Sequence, residues 1–270
     1  LPDQFSWQHP RYKTMNKKLL TVLLLMMTVP LHGLCGEAAP AQTPPEADNT
    51  IVGDDFPLFD EADIIEVWDP LEPVNRGIFW FNDKTYFLAI KPLARGWRHA
   101  PEPLRISLRN FFQNLQAPIR IVNAGLQGKF AGAGTEITRF LTNSTLGIGG
   151  LFDPSKEHFN QLPVNEDTGQ TLGYYGIGSG PYLVLPFIGP SSLRDGIGKF
   201  GDTYLDLSWY IWGDHKNDDN YDYVGSRVAE TINFLSIDKD TYEGIKRDAL
   251  DPYLFMRDAF AQYRRDQIRK

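Results

Sequence analysis

The sequence has a single cysteine, Cys35, which excludes an internal disulfide and leaves stability to the packed core. Histidine is also scarce, with five in the chain. Beyond the first forty residues it occurs at His99, His158 and His215, none with a partner at the i, i+4 spacing of H-E-x-x-H, so a zinc hydrolase is not indicated. Basic charge is also in deficit. Residues 1–35 hold four of the 27 Lys and Arg and one of the 34 Asp and Glu, leaving 23 basic against 33 acidic, about −10. Such a chain repels nucleic acid at long range, and no nucleic-acid partner is expected. After residue 35 every apolar run is broken by charge, Pro or Gly well short of the roughly 20 residues of a membrane-crossing helix.

Enzyme signatures are missing too. Gly196, Gly198 and Gly201 satisfy G-x-G-x-x-G, but Gly189, Pro190, Ser191, Ser192 and Arg194 stand where a dinucleotide fold needs a buried strand. Ser179 lies between Gly178 and Gly180, which breaks the G-x-S-x-G spacing. The many carboxylates read as a solvated acidic surface rather than a catalytic pair. No catalytic residue, metal or cofactor is expected.

What is present begins with an export signal. Lys17 and Lys18 follow Met15, and the apolar stretch from Leu19 to Leu31 completes a positive region and a hydrophobic core over residues 15–38. Residues 1–14 fit no part of a signal, and Met15 reads as the natural start. Cys35 occupies the place of an acylated lipoprotein cysteine. Leu34 and His32 are poor neighbours for that processing, while Gly36, Ala38 and Ala39 suit ordinary cleavage, so both outcomes are open. Residues 39–60 are rich in Pro, Ala and acids and read as a disordered tether. Residues 61–268 form the folded domain.

Within it the apolar periodicity is mostly helical. Leu104, Leu108, Phe111, Phe112 and Leu115 recur at three and four spacings; Pro118 starts a new helix or kinks a continuing one, with Ile119, Val122 and Leu126 following up to Gly128. Further helices are expected over 135–146, over 223–235 with Val224, Val228, Ile232 and Leu235 on one face, and from the Asp251-Pro252 cap to about Ile268. Tyr182–Leu185, between Pro181 and Pro186, is the best extended segment. Aromatic residues cluster at Phe79, Trp80, Phe81 and Tyr86, at Tyr174, Tyr175 and Tyr182, and at Trp209, Tyr210 and Trp212. Such clusters serve either a core or a membrane interface.

Several motifs in order then carry a family resemblance. Asp69-Pro70-Leu71-Glu72-Pro73-Val74-Asn75-Arg76 with Phe81-Asn82, and Asn110-Phe111-Phe112-Gln113-Asn114-Leu115, are followed by the run from Arg139 through Asn143 to Asp153. Next come Gly169-Gln170-Thr171-Leu172-Gly173, Gly180-Pro181-Tyr182, Gly189-Pro190, Arg194-Asp195 and Asp251-Pro252-Tyr253. Over roughly residues 60–265 the chain resembles the MlaA (VacJ) family of outer-membrane lipoproteins. The departure is the imperfect surroundings of Cys35.

The resemblance implies a mainly α fold, a single-domain ring-like arrangement of amphipathic helices lying in the membrane plane, with glycine-rich loops and little β structure. It implies a non-enzymatic transport role at the periplasmic face of the outer membrane. Phospholipids misplaced in the outer leaflet would pass through an amphipathic channel to a soluble periplasmic carrier, which delivers them to an inner-membrane MCE-type ABC transporter, and a trimeric porin would be the membrane partner. Phe79, Trp80, Phe81 and Tyr86 are then expected at the lipid interface, and Gly147, Gly149, Gly150, Gly178 and Gly180 in loops that shape the channel or, on the plainer reading, in helix caps and turns. Asn75 and Arg76 either fix the fold or meet a phosphate. A porin-bound scaffold that passes no lipid, and a periplasmic hydrolase, are the competing classes.

Overall fold

The computed structural model describes residues 66–213, 220–238 and 240–270. The export signal, Cys35, the tether and His215 lie outside the described residues.

The architecture is helical, as the periodicity and the resemblance indicated. Helix α1, Glu72–Thr85, starts with Pro73 in its first turn, where a missing N–H costs nothing. It runs without a break through a π-helical turn, Tyr86–Ile90, into α2, Lys91–Trp97. Helix α3, Glu102–Leu115, follows Pro101 and carries Pro103 in its first turn. Gln116 alone separates it from α4, Ala117–Leu126, so Pro118 begins a new helix rather than kinking an old one. Helix α5, Phe130–Thr145, starts five residues earlier than expected.

Side-chain caps set the next boundaries. Asp153 accepts from the Lys156 N–H to open α6, Pro154–Phe159, which Asn160 ends in a left-handed conformation. Asp167 accepts from the Gln170 N–H to open α7, Thr168–Tyr174. Strands β1, Tyr182–Leu185, and β2, Gly189–Ser192, form an antiparallel hairpin with Tyr182 opposite Ser192 and Leu185 opposite Gly189. Ser192 and Asp195 exchange hydrogen bonds and start α8, Leu193–Leu205. Then come α9, Leu207–Trp212; α10, Tyr221–Ile237; α11, Thr241–Asp248; and α12, Pro252–Arg269, whose Asp251 cap takes the Tyr253 and Leu254 N–H groups.

The hairpin leans on α1 and α12, and there the chain has an ordinary apolar core. Tyr182, Val184 and Tyr253 are buried against Val67, Ile78, Phe79, Leu254 and Phe260. Away from this corner α3 packs on α4, α4 on α5 and α7, α7 on α8, α8 on α9, α9 on α10, and α10 back on α3. Among the described residues, no helix is long and apolar enough to cross a membrane.

Candidate functional site

The helices outside the hairpin corner turn their polar stripe inward. On α10 the buried residues are Tyr223, Arg227, Glu230, Asn233 and Ser236, at helical spacing, while Val228 is exposed. On α5 they are Ala133, Glu136, Arg139 and Asn143, with Ile137 and Leu141 exposed. The same inversion holds overall. Among the described residues 23 polar or charged side chains are buried against 12 apolar ones, and 32 large hydrophobic residues are exposed, the reverse of a water-soluble domain's pattern.

The inward polar stripes surround a cavity of about 820 Å³. Its wall takes Arg109 and Gln113 from α3, Arg120 from α4, Arg139 and Asn143 from α5, Lys199 and Asp202 from α8, Arg227 from α10 and Arg264 from α12. That volume is in the range of small-ligand sites, enough for a polar group with part of an apolar one. Ile106, Phe140, Phe234, Ile237 and Phe260 give the wall its apolar share.

Ion pairs hold most of the wall. Arg120 Nε lies 2.7 Å from Glu136, Arg139 Nη2 2.9 Å from Asp153, and Arg227 Nη1 3.0 Å from Asp206 and 2.6 Å from Glu230. Arg264 grips Asp167 through both terminal nitrogens, at 2.6 and 2.9 Å, and reaches Asp195 at 2.7 Å. Burial alone would raise the Asp167 carboxyl, but Arg264 outweighs it and holds the group down at about 2. Its neighbour Asp202 goes the other way. Burial and the charge of Asp167 push it up to about 6, although it accepts from both the N–H and the hydroxyl of Thr168. Burial also lowers the ammonium of Lys199, against the pull of Asp167.

These carboxylates correct the expectation of a solvated acidic surface. Glu136, Asp195, Asp206 and Glu230 are buried and paired, because their helices aim the polar stripe at the cavity. The signal that could have found two of them is an acid and an arginine three apart on one face, as at Glu136 with Arg139 and Arg227 with Glu230.

Comparison with known proteins bears on this arrangement. A family model described as MlaA lipoprotein matches residues 67–267. The chain belongs to this family. Proteins of Escherichia coli K12 and Shigella flexneri, each named intermembrane phospholipid transport system lipoprotein MlaA, are 37% identical to it over 199 residues, 72% of this chain and 76% of theirs. An uncharacterized protein of Rickettsia bellii is 32% identical over 231 residues, 83% of this chain and 87% of its own. A solved structure described as the structural basis for maintenance of bacterial outer membrane lipid asymmetry superposes with a TM-score of 0.64 at 33% identity, covering 74% of this chain and 98% of that one.

The residues that carried the MlaA resemblance are mostly staples of the fold. Asn75, buried at the hairpin corner, donates to Asp69 at 2.8 Å and to the Tyr182 carbonyl at 3.0 Å, and accepts from the Val184 N–H at 2.9 Å. Asp69, next to Pro70, also takes the Tyr253 hydroxyl. Arg76 bridges Glu72 and Asp251 and lies over the Tyr253 ring. Asn82 clamps the hairpin turn, donating to the Leu185 carbonyl and accepting from the Phe187 N–H. Asn114, Arg139 and Asn143 do reach the cavity. There Arg139 and Asn143 share the two oxygens of Asp153, and Asn114 donates to the Ser144 hydroxyl.

The aromatic candidates divide. Trp80 and Phe81 face outward, at 62% and 41% exposure. Phe79 meets Tyr253 edge to face beside the corner core, and Tyr86, in the π-helical turn, meets Tyr242 edge to face and donates to Glu243. The glycine candidates lie outside helices and strands. None of Gly147, Gly149, Gly150, Gly178 and Gly180 lines the cavity. Gly147 and Gly150 sit one layer behind it, where an added Cβ would fall 2.4 Å from the Asn143 carbonyl oxygen or 2.5 Å from the Asn114 Cβ; Gly150 also has φ +91°. They let the turn after α5 close tightly on two wall residues.

Proposed function

We propose that this chain transports phospholipid between membranes. It takes phospholipid misplaced in the outer leaflet of the outer membrane, passes the headgroup through the polar cavity, and so maintains lipid asymmetry. The observation that carries the reading is the inverted distribution of polarity. Apolar side chains on the outer faces of α3, α5, α8 and α10 suit acyl chains, with roughly 25 cal/mol stabilisation per Å² of apolar surface removed from water, while the paired charges inside offer a polar passage.

The finer assignments belong to the same proposal. The protein sits at the periplasmic face of the outer membrane, with Cys35 as its acyl anchor and its outward aromatic residues, Trp80 and Phe81, at the interface. A trimeric porin is its membrane partner, and a soluble periplasmic carrier receives the lipid for an inner-membrane MCE-type ABC transporter. The chain contributes positioning and polarity and performs no bond-making step.

Deleting the gene is expected to raise outer-leaflet phospholipid and detergent sensitivity, both restored by the intact chain. An unchanged leaflet composition overturns the proposal. A scaffold that passes no lipid would complement equally well with Arg264 and Arg227 replaced by methionine in a folded protein, whereas a passage would not.

A further inference from the structure

Four arginines of the cavity wall are held by carboxylates: Arg120 by Glu136, Arg139 by Asp153, Arg227 by Asp206 and Arg264 by Asp167. Arg109 differs. It lines the same cavity from α3, its Nε is shut away from solvent, and it makes no hydrogen bond or ion pair among the described residues. A guanidinium nitrogen shut from water without an acceptor is costly. Its planar fork fits two oxygens of a phosphate or carboxylate.

The position of Arg109 narrows the anion. Near the start of α3, Arg105 donates to the Ser236 carbonyl at 2.7 Å and its own carbonyl accepts from Asn233 at 2.9 Å, which docks that end of α3 on the end of α10. Ile106 of α3 and Phe234 and Ile237 of α10 thereby come to one end of the cavity as an apolar strip, with Asp238 beside it. Arg109 stands one helical turn beyond Ile106, on the same face, and Gln113 stands one turn further with an uncharged amide. The guanidinium is at the seam between apolar and polar wall. A ligand with a monoanionic phosphodiester between an apolar and a polar part matches that order.

We infer that Arg109 is the cavity's phosphodiester-binding residue, taking the headgroup phosphate of a phospholipid while its glycerol end lies against Ile106, Phe234 and Ile237. The assignment rests on the cavity being the lipid path. Inorganic phosphate shares the anion chemistry but lacks the apolar end.

The test uses the purified full chain in detergent, with binding measured for phosphatidylglycerol, for diacylglycerol of the same acyl chains, and for inorganic phosphate. The intact chain is expected to bind phosphatidylglycerol at least tenfold more tightly than diacylglycerol. Arg109→Gln abolishes that difference and Arg109→Lys keeps part of it, and the lysine variant also serves if the glutamine variant does not fold. Unchanged phosphatidylglycerol binding in a folded Arg109→Gln chain overturns the assignment and leaves lipid transport standing. Arg109-dependent binding of inorganic phosphate without binding of either lipid keeps the anion site and overturns the lipid source and the transport reading together. No binding of any of the three overturns both.

Discussion

The hairpin corner and the cavity wall are built on opposite principles within one chain. At the corner Tyr182, Val184 and Tyr253 are buried among apolar neighbours, with Asn75 and Asp69 closing the few polar groups. In the wall Glu136, Arg139, Arg227 and Glu230 are buried, and Ile137, Leu141 and Val228 of the same helices face outward. The corner is stabilised by removing apolar surface from water. The wall gains less from that term and depends on the pairing of its buried carboxylates with arginines. The difference explains how a chain can keep a fixed shape around a polar void: one region fixes the chain path, and the other lines the void with groups that cannot be left alone.

The sharpest way to break this comparison is to remove one wall partner. Arg264→Met strips Asp167 of both its guanidinium bonds and Asp195 of one, and is expected to cost about 3–5 kcal/mol, the general penalty for a buried charge left unpaired. Urea titration of the purified chain in detergent reads it. A loss below about 1 kcal/mol would mean that water enters the wall freely and that the pairs contribute little.

At the corner the matching change is Asn75→Ala. It removes three hydrogen bonds and leaves the Tyr182 carbonyl and the Val184 N–H, both in the hairpin's first strand, without the side chain that satisfied them. We expect a loss of about 2–3 kcal/mol. Because Asn75 does not line the cavity, lipid binding by the folded fraction should be unchanged. A variant that stays stable but loses lipid would return Asn75 to the binding role that its sequence left open.

How far the two regions could be read from sequence differs for the same reason. Helices α3, α4, α10 and α12 were legible from three-and-four spacing and from the Asp251-Pro252 cap. Which face of α10 turns inward was not, because Val224, Val228 and Ile232 make as regular a stripe as Tyr223, Arg227 and Glu230 do, and periodicity does not say which solvent the helix meets. Strand β2 was missed because Gly189-Pro190-Ser191-Ser192 has little strand propensity; it is held by β1 and by the turn that Asn82 clamps. Arg109 left no signal at all, since an arginine on an amphipathic helix reads as solvated until a cavity is found beside it.

A smaller effect sharpens the electrostatics of the wall. The Asp202 carboxyl titrates near 6 in the fold against an ordinary value of 3.8, so folding disfavours its ionised form. That penalty is absent below pH 3.8, grows between there and about 6, and is complete above. Asp202→Asn keeps an oxygen for Thr168 and removes the charge. The variant should gain about 1 kcal/mol at pH 7.5, allowing for partial screening at this half-buried site, and nothing at pH 3.5. A gain of equal size at both values would point to packing instead of charge.

The smallest effect tests the outer surface, where the comparison predicts near silence. Leu88, in the π-helical turn between α1 and α2, is 78% exposed. If the outer face meets lipid and not protein, Leu88→Ser removes no packed contact, and unfolding in detergent should shift by less than about 0.5 kcal/mol. The same change takes a leucine out of any bilayer contact, where burial of such a side chain is worth about 1.5–3 kcal/mol, so the fraction sedimenting with phosphatidylethanolamine–phosphatidylglycerol vesicles should fall severalfold. Stability and membrane retention separate only on a surface whose partner is solvent-like. A variant that unfolds several kcal/mol more easily would instead make Leu88 part of a packed core, and the division between an apolar exterior and a polar interior would fail on α1 and α2.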